Sequence, residues 1–454
     1  MIYKVSRYNY LIDYKGKKLL FNGLNGSGFL MRISEWKNVE MLMDDLLLFE
    51  HNYPIEFSQF KQLGYIIEKE FDELAYIKYK NKIITHSTDR FLLIINPTLE
   101  CNFRCWCCYE EHRHGRMSEE TVGSIKMLIK RKIEETGIKS LELNWFGGEP
   151  LLYFNDIVLT ISQYAKDICD NHGVNFTNGI TTNGFCIDDE MIKKMNEIRL
   201  YNVQITLEGN RERHNKIRNS SGEASYDKII NNINLLCSNI PNARVNVRVN
   251  YDEATFKKSL TDILDDFLPD IRSRLVIDLH RVWQTFSRLE TREKADKSIS
   301  NKGLDDFISM AKDKGYMIRC GGALSTITFC NCYACRVNYA CINFDGRVYK
   351  CTARSFGDDD CVGQLLDDGK IAWNESRLSR LYGFSPLENK QCMECRYLPL
   401  CMGPCPQHYM ENEHEVNCIL NNMERNIENK IIDFYEESLH LKKLNNHKSE
   451  TKIS

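Results

Sequence analysis

The middle of the chain alternates short apolar runs with longer amphipathic stretches. Between about residues 90 and 320 the apolar runs are typical of buried strands, and the stretches between them have helical periodicity. Six such units predict a parallel sheet with right-handed crossovers, whereas closure into a barrel does not follow from the pattern. The predicted strands are FLLIIN, SLELNWF, VNFTNGITT, NVQITLE, RVNVRVN and RLVIDLH, and the predicted helices span 118–136, 153–172, 187–198, 225–239, 254–268 and 302–314.

The amino-terminal region has a different pattern. YNYLIDYKGKKLLFN predicts a hairpin of two apolar runs around a Lys-Gly turn. SEWKNVEMLMDDLLLFE predicts a helix with Ser34 as its N-cap, and FSQFKQLGYIIEKEFDEL predicts a short helix, a glycine break and a strand. A hairpin with short helices favours a small winged-helix-like module over residues 1–85.

After residue 320 the regular periodicity fades. Cysteine, glycine and short turns dominate residues 321–425, which predicts a loop-rich segment that metal could hold together. Residues 426–454 are predicted to form a carboxyl-terminal helix and a polar tail. The chain is therefore expected to contain four regions: 1–85, 90–320, 321–425 and 426–454.

Composition and charge limit the classes of partner. The 454 residues carry a net charge of −3 and are 43% hydrophobic, which is ordinary for a globular protein and gives no general reason to expect nucleic acid or an anionic membrane as partner. The amino terminus lacks the apolar core of a signal peptide, and no run approaches the ~18 apolar residues of a spanning helix. These features predict a cytoplasmic protein.

The 19 cysteines are unevenly distributed. None precedes Cys101, four fall within residues 101–108, and twelve lie from Cys320 to Cys418. Cytoplasmic thiols stay reduced, so clusters of cysteines at regular spacing indicate metal rather than disulfides. The scattered cysteines are expected to be small core residues: Cys169, Cys186 and Cys237.

The first cysteine group has the spacing C-x3-C-x2-C at Cys101, Cys105 and Cys108. Three thiolates on one loop can hold three irons of a cubane and leave the fourth iron open to a substrate. Electron-transfer clusters and structural zinc sites both use four protein ligands. The loop follows the first predicted strand, at the edge of the sheet where sites gather. This three-cysteine loop resembles that of the radical S-adenosylmethionine superfamily.

Other motifs extend this resemblance over about residues 90–320. GGEP follows the second predicted strand, TTNG ends the third, and QITLEG ends the fourth, in the order of the family's motifs. The resemblance implies that Glu149 receives the amino group of the methionine moiety, and that Thr206 and Arg218 contact its carboxylate or the ribose. The residues it places at the cofactor are Gly147, Gly148, Glu149, Pro150, Asn183, Thr206, Arg218 and Arg248.

The family resemblance also implies a fold and a chemistry. The fold is a partial (β/α)6 TIM-like barrel. A [4Fe–4S] cluster binds S-adenosylmethionine, receives an electron from a donor such as flavodoxin or ferredoxin, and generates a 5′-deoxyadenosyl radical. One departure concerns Cys107, which stands where the family usually has an aromatic residue, so Cys107 remains an alternative to Cys108 as ligand. The following Tyr109-Glu110 favours Cys108.

Cysteines of the carboxyl-terminal region resemble the seven-cysteine SPASM extension, which holds two auxiliary [4Fe–4S] clusters. The resemblance assigns Cys335, Cys351 and Cys405 to one cluster, with Cys330 preferred to Cys332 as its fourth ligand. A zinc ribbon over residues 392–405 is the alternative for the second group. The resemblance assigns to the second auxiliary cluster Cys392, Cys395, Cys401 and Cys418.

The first residues, SRYNYLIDYKGKKLLFNGLNGSGFL, resemble the start of maturases of ribosomally made peptides, whose winged-helix module binds a leader peptide as an added strand. A structural cap is the alternative role. The implied function is the closing of a thioether, or of a carbon–carbon or carbon–oxygen cross-link, in a precursor peptide. A formylglycine-forming anaerobic sulfatase maturase is a second candidate, which Thr352 disfavours because that family usually has Asp after the cysteine matching Cys351. An iron–sulfur electron-transfer or scaffold protein is a third candidate, disfavoured by the three-ligand cluster.

Overall fold

The computed structural model describes residues 2–105, 108, 110–220, 222–251, 260–281, 301–320, 328–383, 385–411, 418–422 and 426–450. The chain forms two compact units. The first contains Met1–His86, Gly322–Arg336 and Arg380–Ser454, and the second contains Ser87–Gly321 and Val337–Ser379. The boundaries of the four predicted domains stay predictions. A division into compact units reflects which residues pack together and does not show that each part folds independently.

The amino-terminal part of the first unit contains the predicted hairpin. Strands β2 and β3 pair through a turn at Lys15 and Gly16, both with positive φ. The helix predicted to have Ser34 as its N-cap has Arg32 there, two residues earlier, because the Glu35 side chain accepts a hydrogen bond from the backbone N–H of Arg32 and fixes the first turn there. The elements are β1 (Tyr3–Val5), β2 (Asn9–Tyr14), β3 (Lys17–Asn22), β4 (Gly28–Arg32), α1 (Ile33–Asp44), α2 (Leu46–Asn52), α3 (Pro54–Gln62), β5 (Ile66–Glu68) and α4 (Glu73–His86).

The second unit is built on one open sheet. Its order is β14-β13-β12-β9-β8-β7-β6-β15-β16-β17-β18, and all neighbours from β14 to β15 are parallel, which confirms the predicted parallel α/β fold. The strands, including the separate β10–β11 hairpin, are β6 (Arg90–Ile95), β7 (Ser140–Trp145), β8 (Asn175–Thr182), β9 (Leu200–Leu207), β10 (Asn219–Ser220), β11 (Glu223–Ala224), β12 (Arg244–Tyr251), β13 (Leu275–Arg281), β14 (Met317–Cys320), β15 (Tyr339–Ile342), β16 (Arg347–Tyr349), β17 (Gly363–Leu365) and β18 (Ile371–Trp373).

The predicted helices of this unit are present with small changes. Ser118 caps the first one, because its Oγ accepts from the N–H of Thr121 at 3.2 Å. A 3-10 turn and a π-helical turn over 150–159 precede the second, and 260–265 forms a 3-10 helix in place of the end of the helix predicted over 254–268, whose first part lies outside the described residues. The helices are α5 (Glu119–Glu134), α6 (Thr160–His172), α7 (Asp189–Glu197), α8 (Arg211–Ile217), α9 (Tyr226–Asn239), α10 (Asn301–Asp313) and α11 (Glu375–Tyr382).

Strands β15 to β18 lie within the segment predicted to be loop-rich. All four residues of β15 are buried, and this strand extends the parallel sheet beside β6. The other three strands have three residues each, which is too short for a periodic pattern to be visible in the sequence. The cysteine-rich segment is therefore more regular than its composition indicates.

The carboxyl-terminal part of the first unit consists of short helices and one long helix. They are α12 (Lys390–Glu394), α13 (Leu398–Cys401), α14 (Pro406–Glu411) and α15 (Ile427–Glu450). Tyr8 and Ile77 are buried with Leu398, and Phe21 is buried with Leu400, so the amino-terminal module and this segment share two apolar clusters. Within the described part of the chain, every helix is too short or too polar to span a membrane.

Deleting residues 1–85 should therefore do more than remove a peptide-binding module. Deletion would expose the apolar partners of the amino-terminal core, including Leu398 and Leu400. We expect the truncated chain to aggregate or to bind about four fewer iron atoms after anaerobic reconstitution. Iron analysis of the soluble fraction checks this expectation, and a soluble truncated protein with full iron content would contradict it.

Candidate cofactor and cluster site

The loop that carries the first cysteine group follows β6 and packs against the GGEP turn after β7. The N–H of Gly148 donates to the carbonyl of Thr98 at 3.2 Å, and the N–H of Glu149 donates to the carbonyl of Glu100 at 2.8 Å. Gly147 has φ of +101°, and a Cβ added at Gly148 would lie 2.1 Å from the carbonyl oxygen of Glu100. Glycine is required at both positions because the two backbones touch.

Replacing Gly148 by alanine should disrupt this contact. The added methyl group would meet rigid backbone, so the cysteine loop must move away from the turn. We expect Gly148→Ala to lower the iron bound after reconstitution and to slow cofactor cleavage at least about tenfold, equivalent to about 1.4 kcal/mol. A matched control is Gly123→Ala in α5, where no heavy atom lies within 4 Å of the added Cβ. Equal iron content and cleavage rate in the two variants would contradict the expectation.

Glu149 is fully buried beneath this turn. Its Oε1 accepts from the N–H of Leu151 at 3.0 Å and from Thr182 Oγ1 at 2.7 Å, and its Oε2 accepts from the N–H of Asn183 at 2.7 Å. Burial raises the pKa of Glu149, although these hydrogen bonds oppose the rise. Each carboxylate oxygen can accept two hydrogen bonds, so Oε2 has capacity for an incoming ammonium group. The predicted contact between Glu149 and a methionine amino group stays a prediction.

The three predicted cluster ligands are half-buried thiols on this loop. Burial raises the pKa of Cys101 to about 12 and that of Cys108 to about 11. Thiols in such surroundings need a metal to become thiolates, which is the state that binds iron. Cys107 lies outside the described residues, together with Trp106 and Tyr109. Cys108 therefore stays the predicted third cluster ligand, with Cys107 as the alternative.

A hydrogen-bonded network lies next to these cysteines. Arg218 Nε donates to Glu208 Oε1 at 2.7 Å, and Asn250 Nδ2 donates to the same oxygen at 2.9 Å. Asn250 Oδ1 in turn accepts from Arg248 Nε at 3.3 Å. Burial raises the pKa of Cys105, but the guanidinium of Arg218 opposes the rise, so the network acts electrostatically on the cluster loop. The predicted cofactor residues Arg218 and Arg248 are thus joined through Glu208 and Asn250.

Two further residues at the site were not predicted individually. Asn102 accepts from Asn183 Nδ2 at 2.7 Å and so connects the cysteine loop to the TTNG turn. Glu208 is fully buried and orients Arg218. Glu208 belongs to the QITLEG motif, so its signal was present in the sequence. Asn102 stands between the cysteines, and nothing in its local sequence indicates its contact with Asn183.

The residues of this site fit a cubane cluster and S-adenosylmethionine. Three thiols share one loop, a buried carboxylate has capacity for an ammonium group, and two glycines keep the backbone close. Within the part of the chain that the structure describes, no three Cys, His, Asp or Glu side chains converge on one metal-ion position. A cubane does not need such convergence, because each cysteine binds a different iron atom.

One group of carboxyl-terminal cysteines surrounds a small apolar cavity in the first unit. The cavity has a volume of about 50 Å³, and Leu398 and Ile419 are among its other lining residues. The structure thus brings together all four cysteines that the sequence assigned to one auxiliary cluster. They are Cys392, Cys395, Cys401 and Cys418.

The other predicted auxiliary ligands are partly brought together. The thiols of Cys330 and Cys335 face each other, and this contact lowers the pKa of Cys330 and raises that of Cys335. Cys405 and Cys332 are close enough to raise the pKa of Cys335 further. Cys332 Sγ accepts from the N–H of Ala334 at 3.4 Å, which gives this residue a local capping role. The facing pair supports the preference for Cys330.

Cys351 belongs to the second unit and follows β16. Its Sγ accepts from the N–H of Ala353 at 3.4 Å. The assignment of Cys351 to the same cluster as Cys335 and Cys405 stays a prediction.

Comparison with known proteins shows which family the sequence matches. Residues 95–257 match the Radical SAM superfamily. A serine-type anaerobic sulfatase-maturating enzyme of Klebsiella aerogenes is 21% identical over 338 residues, which cover 68% of this chain and 77% of that protein. The protein of the same description from Bacteroides thetaiotaomicron is 23% identical over 343 residues, with 68% and 80% coverage.

Solved structures share the fold. The anSMEcpe structure with bound AdoMet and Cp18Cys peptide has a TM-score of 0.53 and 19% identity, and covers 79% of this chain and 99% of its own. Streptococcus suis SuiB bound to S-adenosylmethionine has a TM-score of 0.53 and 13% identity, with 91% and 97% coverage.

Proposed function

This chain is a radical S-adenosylmethionine enzyme, and we propose that it modifies a peptide by closing a thioether or another cross-link in it. The family uses S-adenosylmethionine and a [4Fe–4S] cluster, which together supply hydrogen abstraction from an unactivated carbon. A likeness to anSME and SuiB extends over both units. The protein is accordingly related to sulfatase maturases and to SuiB.

In this proposal three groups of side chains would hold the cluster and the cofactor. Cys101, Cys105 and Cys108 would bind the cluster, and Glu149 would receive the ammonium group of S-adenosylmethionine on Oε2. Arg218, held by Glu208 at 2.7 Å, has its positive charge near Cys105 and would pair with the cofactor carboxylate. Both side chains of this ion pair are largely buried, which strengthens their interaction relative to a surface pair.

The observation that carries the cross-linking proposal is the cysteine-lined cavity of the first unit. Closing a bond after hydrogen abstraction is a net oxidation of the peptide, so one electron must leave the substrate. An auxiliary cluster at Cys392, Cys395, Cys401 and Cys418 is a chemically suitable acceptor. A simple electron carrier would not need the separate three-cysteine loop.

A formylglycine-forming activity is the second candidate. Sulfatase maturases are among the relatives and cover 68% of this chain. Against this candidate, a largely buried Thr352 follows Cys351 where that family usually has Asp. Thr352 has no carboxylate, so it is not a base for deprotonating a substrate thiol.

We also propose that the amino-terminal module binds a leader peptide, and that a flavodoxin or ferredoxin supplies electrons. The module has a three-stranded antiparallel sheet, β2-β3-β4, with two outer strands to which an extended peptide can add. The Cp18Cys peptide bound by anSMEcpe gives a precedent for a peptide substrate.

Mass spectrometry separates the two candidate activities. The reduced, reconstituted enzyme would be incubated with S-adenosylmethionine and either Cp18Cys or a cysteine-containing precursor peptide encoded beside its gene. We expect the precursor to become lighter by two hydrogens, and Cp18Cys to keep its sulfur. Conversion of Cp18Cys to the aldehyde, with loss of sulfur, would instead establish the formylglycine-forming activity.

A further inference from the structure

Polar side chains on strands β8, β9, β12 and β13 form a ladder on one face of the sheet. Thr181, Gln204 and Asn246 lie in register on three neighbouring strands. Gln204 Nε2 donates to Thr181 Oγ1 at 3.4 Å, and Asn246 Nδ2 donates to Gln204 Oε1 at 2.9 Å. Asn246 Nδ2 also donates to Asp278 Oδ2 at 3.1 Å, which ends the ladder on β13.

The carboxylate of Asp278 sets the direction of every hydrogen bond in this ladder. Its Oδ2 also pairs with His280 Nε2 at 3.0 Å. Burial raises the pKa of Asp278, but the contacts with His280, Asn246 and Arg319 outweigh burial, and the net pKa is lowered. An ionised carboxylate only accepts, so Asn246 must present its NH2 group to Asp278. The hydroxyl hydrogen of Thr181 is consequently left to donate elsewhere.

Two acceptors of the ladder are buried without a donor. Asp278 is 5% exposed, and its Oδ1 has no hydrogen-bond partner among the described residues. The same holds for Asn246 Oδ1 within the described ranges. A buried acceptor without a donor costs free energy, and buried polar atoms in native proteins nearly always have a partner. Asp278 Oδ1 and Asn246 Oδ1 therefore require a hydrogen-bond donor from outside the ladder.

The position of Asp278 relates it to the predicted cofactor residues. Asp278 is in register with Arg248 on β12, which is in register with Thr206 on β9. Neighbouring strands lie about 4.8 Å apart, so Asp278 stands about 10 Å from Thr206 along the same row. The open acceptors thus lie beside the predicted cofactor contacts and are not among them.

We propose that Asn246 and Asp278 form a subsite for amide N–H groups of the peptide substrate, with the Thr181 hydroxyl available to a peptide carbonyl. This inference rests on the proposed function. A neutral amide fits better than a cation, because His280 and Arg319 already face the Asp278 charge. The two residues position the peptide and take no part in the chemistry.

Crystals of the anaerobically reconstituted enzyme with S-adenosylmethionine test the subsite directly. Without peptide, we expect ordered solvent to donate to Asp278 Oδ1 and Asn246 Oδ1. A donor from the protein itself on Asp278 Oδ1, for example from residues 282–300, would overturn the proposal. This outcome does not depend on whether the enzyme modifies peptides.

The variant Asp278→Asn tests positioning in solution. The carbonyl of the introduced amide can replace Oδ2 in the ladder, so its NH2 group replaces Oδ1 and turns the open acceptor into a donor. The probe is a synthetic pool of decapeptides with one central cysteine. We expect KM for the pool to rise at least about tenfold and more deoxyadenosine to form per modified peptide, whereas deoxyadenosine formation without peptide stays unchanged.

Glu142→Gln is the matched control. Glu142 is a carboxylate on β7 whose two oxygens already pair with Arg90 and Asn144. We expect this control to keep the wild-type KM, and a wild-type KM in Asp278→Asn would overturn the proposal. If the wild-type enzyme cleaves S-adenosylmethionine yet modifies neither a member of the pool nor the precursor peptide encoded beside its gene, the proposed function fails, and the crystal structure still decides whether the subsite exists.

Discussion

Simultaneous replacement of Cys101, Cys105 and Cys108 by alanine is expected to remove about four iron atoms per chain and to abolish cleavage of S-adenosylmethionine. The three thiols are half-buried on one loop after β6, and burial raises the pKa of each of them. Only a bound metal makes thiolates favourable there. Without these ligands the cofactor has no electron source at the site. Iron analysis and quantification of 5′-deoxyadenosine measure both effects.

The control for this prediction is Cys107→Ala. We expect that variant to keep the iron content and cleavage rate of the wild-type chain. Undiminished deoxyadenosine formation in the triple variant would rule out the three cysteines as cluster ligands. If Cys107→Ala loses the cluster and Cys108→Ala retains it, the ligand register shifts by one residue.

The double variant Cys392→Ala and Cys401→Ala should separate cofactor cleavage from product formation. Both cysteines line the cavity of about 50 Å³ in the first unit. We expect loss of about four iron atoms and of the cross-linked product, while deoxyadenosine is still formed, because the three-cysteine loop lies in the second unit. Iron analysis combined with mass spectrometry of the peptide measures this separation.

Loss of folding is the competing explanation for this result, since metal binding also stabilises the segment. The variant must therefore stay soluble and retain the iron of the first cluster. Cys361→Ala is a suitable control, because Cys361 is a half-buried cysteine outside both predicted auxiliary ligand sets. Unchanged product yield from a folded double variant would exclude the second cluster as electron acceptor.

The sequence was sufficient to predict elements with long, regular patterns. The six central strands and the Ser118 cap were predicted because apolar runs and a capping residue are local signals. Strands β14 to β18 were missed, because three or four residues carry no readable period. The N-cap of α1 was placed two residues late, because Glu35 acts on a preceding backbone group that the local pattern does not reveal.

The residues of the candidate site also fall into those that the sequence predicted and those that it did not. The cysteine loop and Glu149 lie in contiguous motifs, so their types and spacing could be recognised in the sequence. Asn250 and Asp278 act through strand register between segments far apart in the chain. The local sequence of a strand does not show which residues of the neighbouring strand will lie beside it. Cys392 and Cys418 line the same cavity, and only the family resemblance predicted that these two cysteines lie at one site.

Transfer of deuterium from a labelled peptide tests the central claim most directly. The reconstituted, reduced enzyme would receive S-adenosylmethionine and a precursor peptide deuterated at its carbon-bound hydrogens. The account predicts deuterium in 5′-deoxyadenosine and a peptide that has lost two hydrogen isotopes. Unlabelled 5′-deoxyadenosine together with an unchanged peptide would contradict the claim that this enzyme modifies that peptide.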